Sequence, residues 1–348
     1  GPSTRPAWCW RWTGAPTACF PPWPPRAPPT GCSTSWSSRR GPRARRAGTG
    51  STFPIPTTAP LAGSTPPATR SGLAERVSAL LGRRPLAAQP LGGDSAAEVL
   101  RLELDGSGMA IAKTGPGAEL EARMLRTLGE RGGLAVPEVL HADAELLLMS
   151  ALDSGGSLGP AEQEVAAGQI AALHAVTAEE GFGLDYDSAI AGLPQANAWQ
   201  ADWPGFFRDK RLLAMGRLAL ERGRLPKETY AGLERLGAKL ESLLAPGPPS
   251  LLHGDLWGGN VLVGRDGGVA YIDPAAYFGH AEIELAFSTL FGTFGEAFFG
   301  RYQELRPIEP GFFEERRDLY NLYPLLVHSA LFGGPYPGAV RRTLDRFL

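Results

Sequence analysis

His253-Gly254-Asp255-Leu256-Trp257-Gly258-Gly259-Asn260, followed by Tyr271-Ile272-Asp273-Pro274, is the stretch on which the reading of this chain turns. It sets a carboxylate, an amide and a second carboxylate in a fixed order. Two short apolar runs, Val261 to Val263 and Val269 to Ile272, lie between the last two and read as paired strands. Asp255 is the group to accept a proton from an attacking hydroxyl, while Asn260 and Asp273 offer the oxygens that hold Mg²⁺ against phosphates. Any turn-rich segment contains Asp, Asn and Gly for conformational reasons. The ordered triple, rather than any one member, is what implies phosphoryl transfer. His253 has two readings, a core histidine that braces the loop or a group that titrates during turnover.

Asp255 precedes Asn260 by five positions, the offset of the H-R-D-x-x-x-x-N loop of protein kinases, and the segments upstream resemble that family in order as well. Pro90-Leu91-Gly92-Gly93-Asp94-Ser95 reads as a glycine loop ahead of a strand over Val99 to Leu104. Gly92, Gly93 and Ser95 are therefore candidates to approach nucleotide phosphates, although an ordinary hairpin uses the same residues. Met109 to Lys113 is an apolar strand ending in a single lysine. The next helix, Ala118 to Leu128, carries Glu119 and Glu121, with Leu120, Met124, Leu125 and Leu128 at helical spacing. Lys113 is expected to orient phosphates with Glu121 as its partner; the bland alternative is a solubilising lysine and an acidic first turn favoured by the helix dipole. Val136 to Leu140 and Glu145 to Met149 complete a small sheet, and the connector that follows adds Ser150 and Leu152 to the expected nucleotide-binding set.

Beyond the connector the pattern turns helical. Pro160 to Val176 is read with Val165, Ile170 and Leu173 inward, followed by helices over Trp203 to Arg222 and Lys227 to Leu244. Asp202 is the expected N-cap of the second and Gly223 its stop. The fold class expected is α+β and two-lobed, protein-kinase-like: a small antiparallel sheet with one main helix over residues 71–152, and a larger helical lobe over 153–348 carrying the catalytic loop and acceptor site.

A chain of 348 residues exceeds one ordinary core, and an apolar fraction of 43% fills two. A net charge of −2 exerts no global pull toward nucleic acid or anionic membrane, so neither is expected as a partner. Cys9, Cys19 and Cys32 are the only cysteines, which removes a disulfide framework or thiol nucleophile from the main body. The five histidines show no H-x-x-x-H spacing, so zinc is not expected. No apolar run is long enough to span a bilayer, and the start lacks a secretory pattern, so a cytoplasmic location is expected.

Residues 1–70 differ from everything after them. Pro21-Pro22-Trp23-Pro24-Pro25 and Arg39-Arg40-Gly41-Pro42-Arg43-Ala44-Arg45-Arg46 follow neither helical nor strand periodicity, and disorder is expected. Back-translating Phe53 to Pro60 and shifting the frame by one base permits Val-Pro-Asp-Pro-Tyr-Tyr-Gly-Pro, which resembles the general-acid loop of low-molecular-weight protein tyrosine phosphatases. A non-native, frame-shifted origin is the sharper expectation for this segment, and sequencing the locus tests it.

From about residue 73 to its end the chain resembles the fructosamine kinase (ketosamine-3-kinase) family, relatives of the aminoglycoside phosphotransferases. The resemblance rests on Leu252 to Asn260, Tyr271 to Ala275 and Gly279 to Ala286. Pro194-Gln195-Ala196-Asn197-Ala198-Trp199, Asp202-Trp203 through Arg211-Leu212, and Leu322 to Gly333 add to it. It implies ATP- and Mg²⁺-dependent phosphorylation of O3 of a ketosamine on a small amine or glycated lysine. Asp255 would be the base, Asn260 and Asp273 the magnesium ligands, Lys113 the phosphate-orienting lysine and Glu121 its partner. Trp257 is a candidate platform for the sugar, against a plain core role.

Two departures stand out. The family's acidic pair after the metal Asp usually ends in Asp, where this chain has Glu284. The glycine loop also lacks the cysteine that permits redox-linked dimerisation in some relatives, and a monomer is expected. The competing readings are another small-molecule kinase of the same fold, acting on an aminoglycoside, choline or amino-sugar, and a nucleotide-binding scaffold without turnover.

Overall fold

The computed structural model describes residues 67–92 and 98–348; the first segment, together with Gly93 and Ser95 of the glycine loop, lies outside them. In chain order come α1 (Pro67–Leu81), β1 (Pro85–Gly92), β2 (Glu98–Leu104), β3 (Gly108–Thr114), α2 (Ala118–Arg126), β4 (Val139–Ala142) and β5 (Leu146–Ser150). The five strands form one antiparallel sheet in the order β1-β2-β3-β5-β4. Pro85 and Pro90 both lie in β1, an edge strand, where a missing backbone donor is tolerated.

Side-chain alternation explains how this sheet carries a helix on each face, α1 on one and α2 on the other. Leu146 and Leu148 of β5 join Val77 of α1, Leu100, Leu102 and Leu104 of β2 and Ala110 and Ala112 of β3 on one face. Leu147 and Met149 point the other way, onto Ala118, Ala122 and Leu125 of α2. A strand covered on both faces becomes an unbroken apolar run, as Leu-Leu-Leu-Met is in β5. Met124 on the opposite side of α2 and Leu128 in the π-helical turn Thr127–Arg131 that continues it pack with Leu134 into the core of the helical lobe.

That lobe contains α3 (Pro160–Ala175), the hairpin β6 (Ser188–Ile190) and β7 (Leu193–Gln195), α4 (Trp203–Phe206), α5 (Ala214–Glu221), α6 (Lys227–Gly237) and α7 (Leu240–Leu243). Next come β8 (Ser250–Leu252), β9 (Val261–Val263), β10 (Val269–Tyr271), β11 (Tyr277–Gly279), α8 (Ala281–Leu290), α9 (Glu296–Leu305), α10 (Arg317–Tyr320), α11 (Leu322–Phe332) and α12 (Tyr336–Leu344). The short antiparallel pair β8–β11 flanks residues 253–276, and the pair β9–β10 lies between Asn260 and Asp273. Asp202 caps α4 by accepting the Gly205 N–H at 2.7 Å. A π-helical stretch, Phe207–Leu213, then carries the helix into α5, which stops at Gly223 with φ +66°. Among the described residues no helix is long and apolar enough to cross a membrane.

Three expectations fail in detail. The strand expected over Val136 to Leu140 runs instead over Val139–Ala142. Val165 is 45% exposed, because it lies five residues, about 140° around a helix, from the buried Ile170; Ala166, Ala167 and His174 take the inward face instead. The helix expected over 227–244 breaks after Gly237 and resumes at Leu240.

Candidate functional site

Strand β8 ends at Leu252 and hands the chain to a loop whose shape is set by backbone hydrogen bonds. The Ala275 N–H donates to the His253 carbonyl at 2.8 Å, and the Ile272 N–H donates to the Asn260 carbonyl at 3.1 Å. These two bonds stitch the segment before β9 to the segment after β10. Gly254 turns with φ +86°, and a Cβ there would be driven into the Ala275 carbonyl oxygen. Here the left-handed glycine is a requirement.

His253 is fully buried and braces this loop. Its Nε2 lies 3.0 Å from the Ile272 carbonyl, which can only accept, so Nε2 carries the proton and Nδ1 accepts the Asp255 N–H at 3.3 Å. Burial lowers its pKa and keeps it neutral, which favours bracing over titration.

Glu284 on α8 holds the loop from below. Its Oε1 accepts the Gly254 N–H at 2.6 Å and its Oε2 the His253 N–H at 3.3 Å. Oε2 also meets His174 Nε2 at 2.9 Å, and His174 Nδ1 contacts the Tyr302 hydroxyl at 2.8 Å. Burial alone would raise the Glu284 pKa, but the hydrogen bonds from His174 and the Gly254 N–H help to hold it below the ordinary carboxylate value. Glu282, two residues earlier, is tied to Arg316 by a bidentate pair at 2.6 and 2.7 Å.

Asp255, Asn260 and Asp273 converge. Buried Asn260 directs its Nδ2 to the Asp255 carbonyl and to Asp255 Oδ2, both at 2.9 Å, and to the Asp273 carbonyl at 3.4 Å. Burial pushes the Asp255 carboxyl up to about 7, the Asn260 hydrogen bond opposes this, and the charges of Asp273 and Glu284 add to the rise. Asp273 sits at φ +52°, a strained conformation for a residue with a Cβ, and its side chain is 48% exposed.

Facing them, Lys113 Nζ at the end of β3 lies 2.6 Å from Glu121 Oε2 and 3.0 Å from Asp273 Oδ1. Burial works against the lysine charge, but the two carboxylates outweigh it and hold its pKa above the ordinary value. Burial pushes Glu121 up to about 7 against the pull of the ammonium. Glu121 Oε1 is buried without a partner, so this carboxylate has capacity for one more donor. Lys113 thus joins the sheet, α2 and Asp273 in the bend after β10.

The remaining candidates divide. Gly92 closes β1 opposite Val99, at the mouth of the undescribed loop. Ser150 ends β5 with its amide and hydroxyl engaged by Glu138, each at 2.9 Å, and Leu152 follows half-buried in the connector. Trp257 is half-buried, not a core tryptophan; its indole folds over Gly259 and meets Phe291 edge-on at 6.1 Å. Sequence reasoning missed the roles of His174, Tyr302 and Glu284 in holding the loop. It also missed that the Gln-Asn-Trp motif is scaffold. Gln195 donates to the Ala275 carbonyl at 2.9 Å and accepts the Tyr323 hydroxyl at 2.6 Å, while fully buried Arg211 donates to Asn197 Oδ1 at 2.7 Å and lies 3.9 Å from the Tyr277 ring centroid.

Comparison with known proteins fits this arrangement. Residues 113–348 match the profile of the fructosamine kinase family. A chloroplastic protein-ribulosamine 3-kinase of Arabidopsis thaliana is 33% identical over 240 residues, 66% of this chain and 72% of the relative. A probable ketoamine kinase of Escherichia coli is 36% identical over 237 residues, 67% of this chain and 81% of the relative. The crystal structure of a Thermobifida fusca protein assigned as a fructosamine-3-kinase superposes with a TM-score of 0.70 at 35% identity, covering 78% of this chain and 98% of that one. Solved phosphotransferases of lower identity share the fold and speak to the fold alone. With the match extending from Lys113 through the loop of Asp255 to the last residue, the chain belongs to the fructosamine kinase family.

Proposed function

We propose that the chain uses ATP and Mg²⁺ to phosphorylate O3 of a ketosamine, a fructosamine or ribulosamine carried on a lysine side chain or small amine. The observation that carries this reading is the Asn260 amide bridging Asp255 and Asp273 directly opposite the Lys113–Glu121 pair. Residues 71–152 would form the nucleotide lobe and 153–348 the lobe holding the acceptor, in a cytoplasmic enzyme.

The donor set suits magnesium. Asp273 offers a half-exposed carboxylate, and Asn260, whose nitrogen is committed to Asp255, has its amide oxygen left to offer. Mg²⁺ takes one or two protein oxygens and completes its shell with phosphate and water. When bound, the metal neutralises charge on the transferring phosphoryl group. Lys113, charged and fixed between two carboxylates, orients the phosphates. The glycine loop, including Gly92, Gly93 and Ser95, would cover them, and the connector at Ser150 and Leu152 would receive the base.

Asp255 acts on the acceptor. A carboxyl near 7 is a stronger base than an exposed aspartate, and Asn260 holds its Oδ2 in place for the hydroxyl proton. Trp257, half-buried beside it, presents an indole face to the sugar's C–H side. The test is ATP consumption with ribulosamine- and fructosamine-modified lysine, using simple sugars and aminoglycosides as controls. Asp255→Asn should lower kcat by about 10²–10⁴-fold while nucleotide affinity is retained. Near-normal kcat in that variant would remove Asp255 from the role of base, and turnover of aminoglycosides alone would redirect the substrate assignment.

A further inference from the structure

We infer that an aromatic strip leading away from Trp257 seats the alkylammonium side of the acceptor, meaning the lysine methylenes and the secondary amine that joins them to the sugar. This rests on the ketosamine reading above and names the part of the substrate it leaves open. Trp257 meets Phe291 at 6.1 Å between ring centroids, Phe291 meets His328 at 5.1 Å, and His328 meets Phe332 at 5.7 Å and Tyr336 at 4.9 Å. The rings come from four places that the fold brings together: the loop after Asp255, the residue capping α8, one face of α11 and the start of α12. They are not core. Phe332 is 65% exposed and Phe291 37%, while Trp257, His328 and Tyr336 are half-buried.

Single exposed aromatics are ordinary, but five contiguous rings running from the residue two places after Asp255 form a patch that marks a binding surface. Its chemistry selects among occupants. Aromatic faces attract a cation through their quadrupole, and alkyl-substituted ammonium groups suit them well. A lysine stem lays its methylenes along such rings. His328 adds one directional group. Its Nδ1 lies 2.8 Å from the Pro324 carbonyl, so Nδ1 carries the proton, and burial lowers its pKa and keeps the ring neutral. Nε2 therefore retains a lone pair able to accept an ammonium N–H.

Connectivity sets the direction. The amine of a ketosamine is bonded to C1, two carbons from C3, so a hydroxyl seated at Asp255 places the ammonium close by. The rest of the lysine then extends outward, and the strip supplies a continuous apolar path from Trp257 to Phe332.

The experiment compares two acceptors with the same sugar, one carried on the side chain of Nα-protected lysine and one on methylamine. Phe332→Ala, a surface change, should reduce the preference in kcat/KM for the lysine-linked acceptor about tenfold, with the loss in KM. His328→Phe keeps the ring packing but removes the acceptor atom, and should raise KM for both ketosamines relative to that for ATP. Equal response of the two acceptors to Phe332→Ala, or none, would overturn the inference and leave the kinase assignment standing. A fall in solution mass on Phe332→Ala would assign the face to a second copy of the chain and overturn it too. An unmodified enzyme that binds ATP but phosphorylates neither ketosamine would bring down the parent reading and this one together.

Discussion

At Asp255 the same shift bears on stability and on the role of base proposed for it. Its carboxyl is raised from an ordinary 3.8 to about 7, so between those values the folded chain holds a proton that the unfolded chain has released. The stability this contributes is complete below the unfolded pKa and is lost as pH rises through the folded one. Asp255→Asn removes the penalty. In the absence of ligands the variant should be the more stable protein above pH 7, by about 1–3 kcal/mol given ~1.4 kcal/mol per pKa unit and partial access of solvent. The gain should grow from about pH 4 to about pH 7 and level off beyond, as thermal unfolding across that range would reveal. Activity should move the opposite way. Only the ionised carboxylate accepts a proton, so kcat/KM of the parent enzyme should fall about tenfold per unit below about pH 7. A pH–rate profile flat down to pH 5.5 would contradict that role.

The catalytic loop and α8 act as one element. Gly254→Ala combines a left-handed backbone with a collision against the Ala275 carbonyl, and neither partner is a flexible side-chain tip. It should cost at least about 2 kcal/mol and nearly all turnover. Glu284→Gln keeps the shape but removes the charge that gathers the His253 and Gly254 amides and His174. Because the Glu284 pKa is held below its ordinary 4.5, its contribution is present above that value and lost as pH falls through the folded pKa. The variant should therefore be destabilised by about 2–4 kcal/mol at pH 7 and by less at pH 4, measured by urea unfolding at both. These elements also mark how far the sequence was legible. Asp255, Asn260 and Asp273 could be read because loop chemistry is local in sequence, and Lys113 and Glu121 because strand and helix periodicities place them. The tether from Glu284 through His174 to Tyr302 joins α8, α3 and α9 across more than a hundred residues, and nothing in the local pattern of any one helix announces it. Val165 was misplaced for a related reason: an Ala-rich helix such as α3 buries small residues, and hydrophobicity alone picks the larger side chain for the inward face.

On the scale of the whole molecule, α2 decides whether the two lobes are mechanically separate. One of its faces closes the sheet through Ala118, Ala122 and Leu125, while Met124 on the other and Leu128 in the π-helical turn that continues it enter the core shared with α3 and β8. The hold is reinforced at the surface of the helical lobe, where Thr127 Oγ1 meets the Tyr186 hydroxyl at 2.9 Å and the Arg123 guanidinium lies 3.8 Å from the Tyr186 ring centroid. Glu121 rides on this helix, so the Lys113 pair inherits its position from the helical lobe as well as from the sheet. A helix pinned on both sides should couple the unfolding of the two. Leu128→Ala opens a cavity at a fully buried site and should cost about 2–5 kcal/mol. The informative readout is where that cost is felt. If α2 welds the lobes, amides of β2 and β3 should lose hydrogen-exchange protection by the same free energy as amides of α3 and α8, because all open through one cooperative event. If the sheet instead opens alone, its amides would exchange through a lower barrier that Leu128→Ala leaves in place, and the helical lobe would carry the whole loss. The first outcome describes a kinase whose Lys113–Glu121 geometry is built in when the chain folds; the second, one that must assemble it on binding nucleotide.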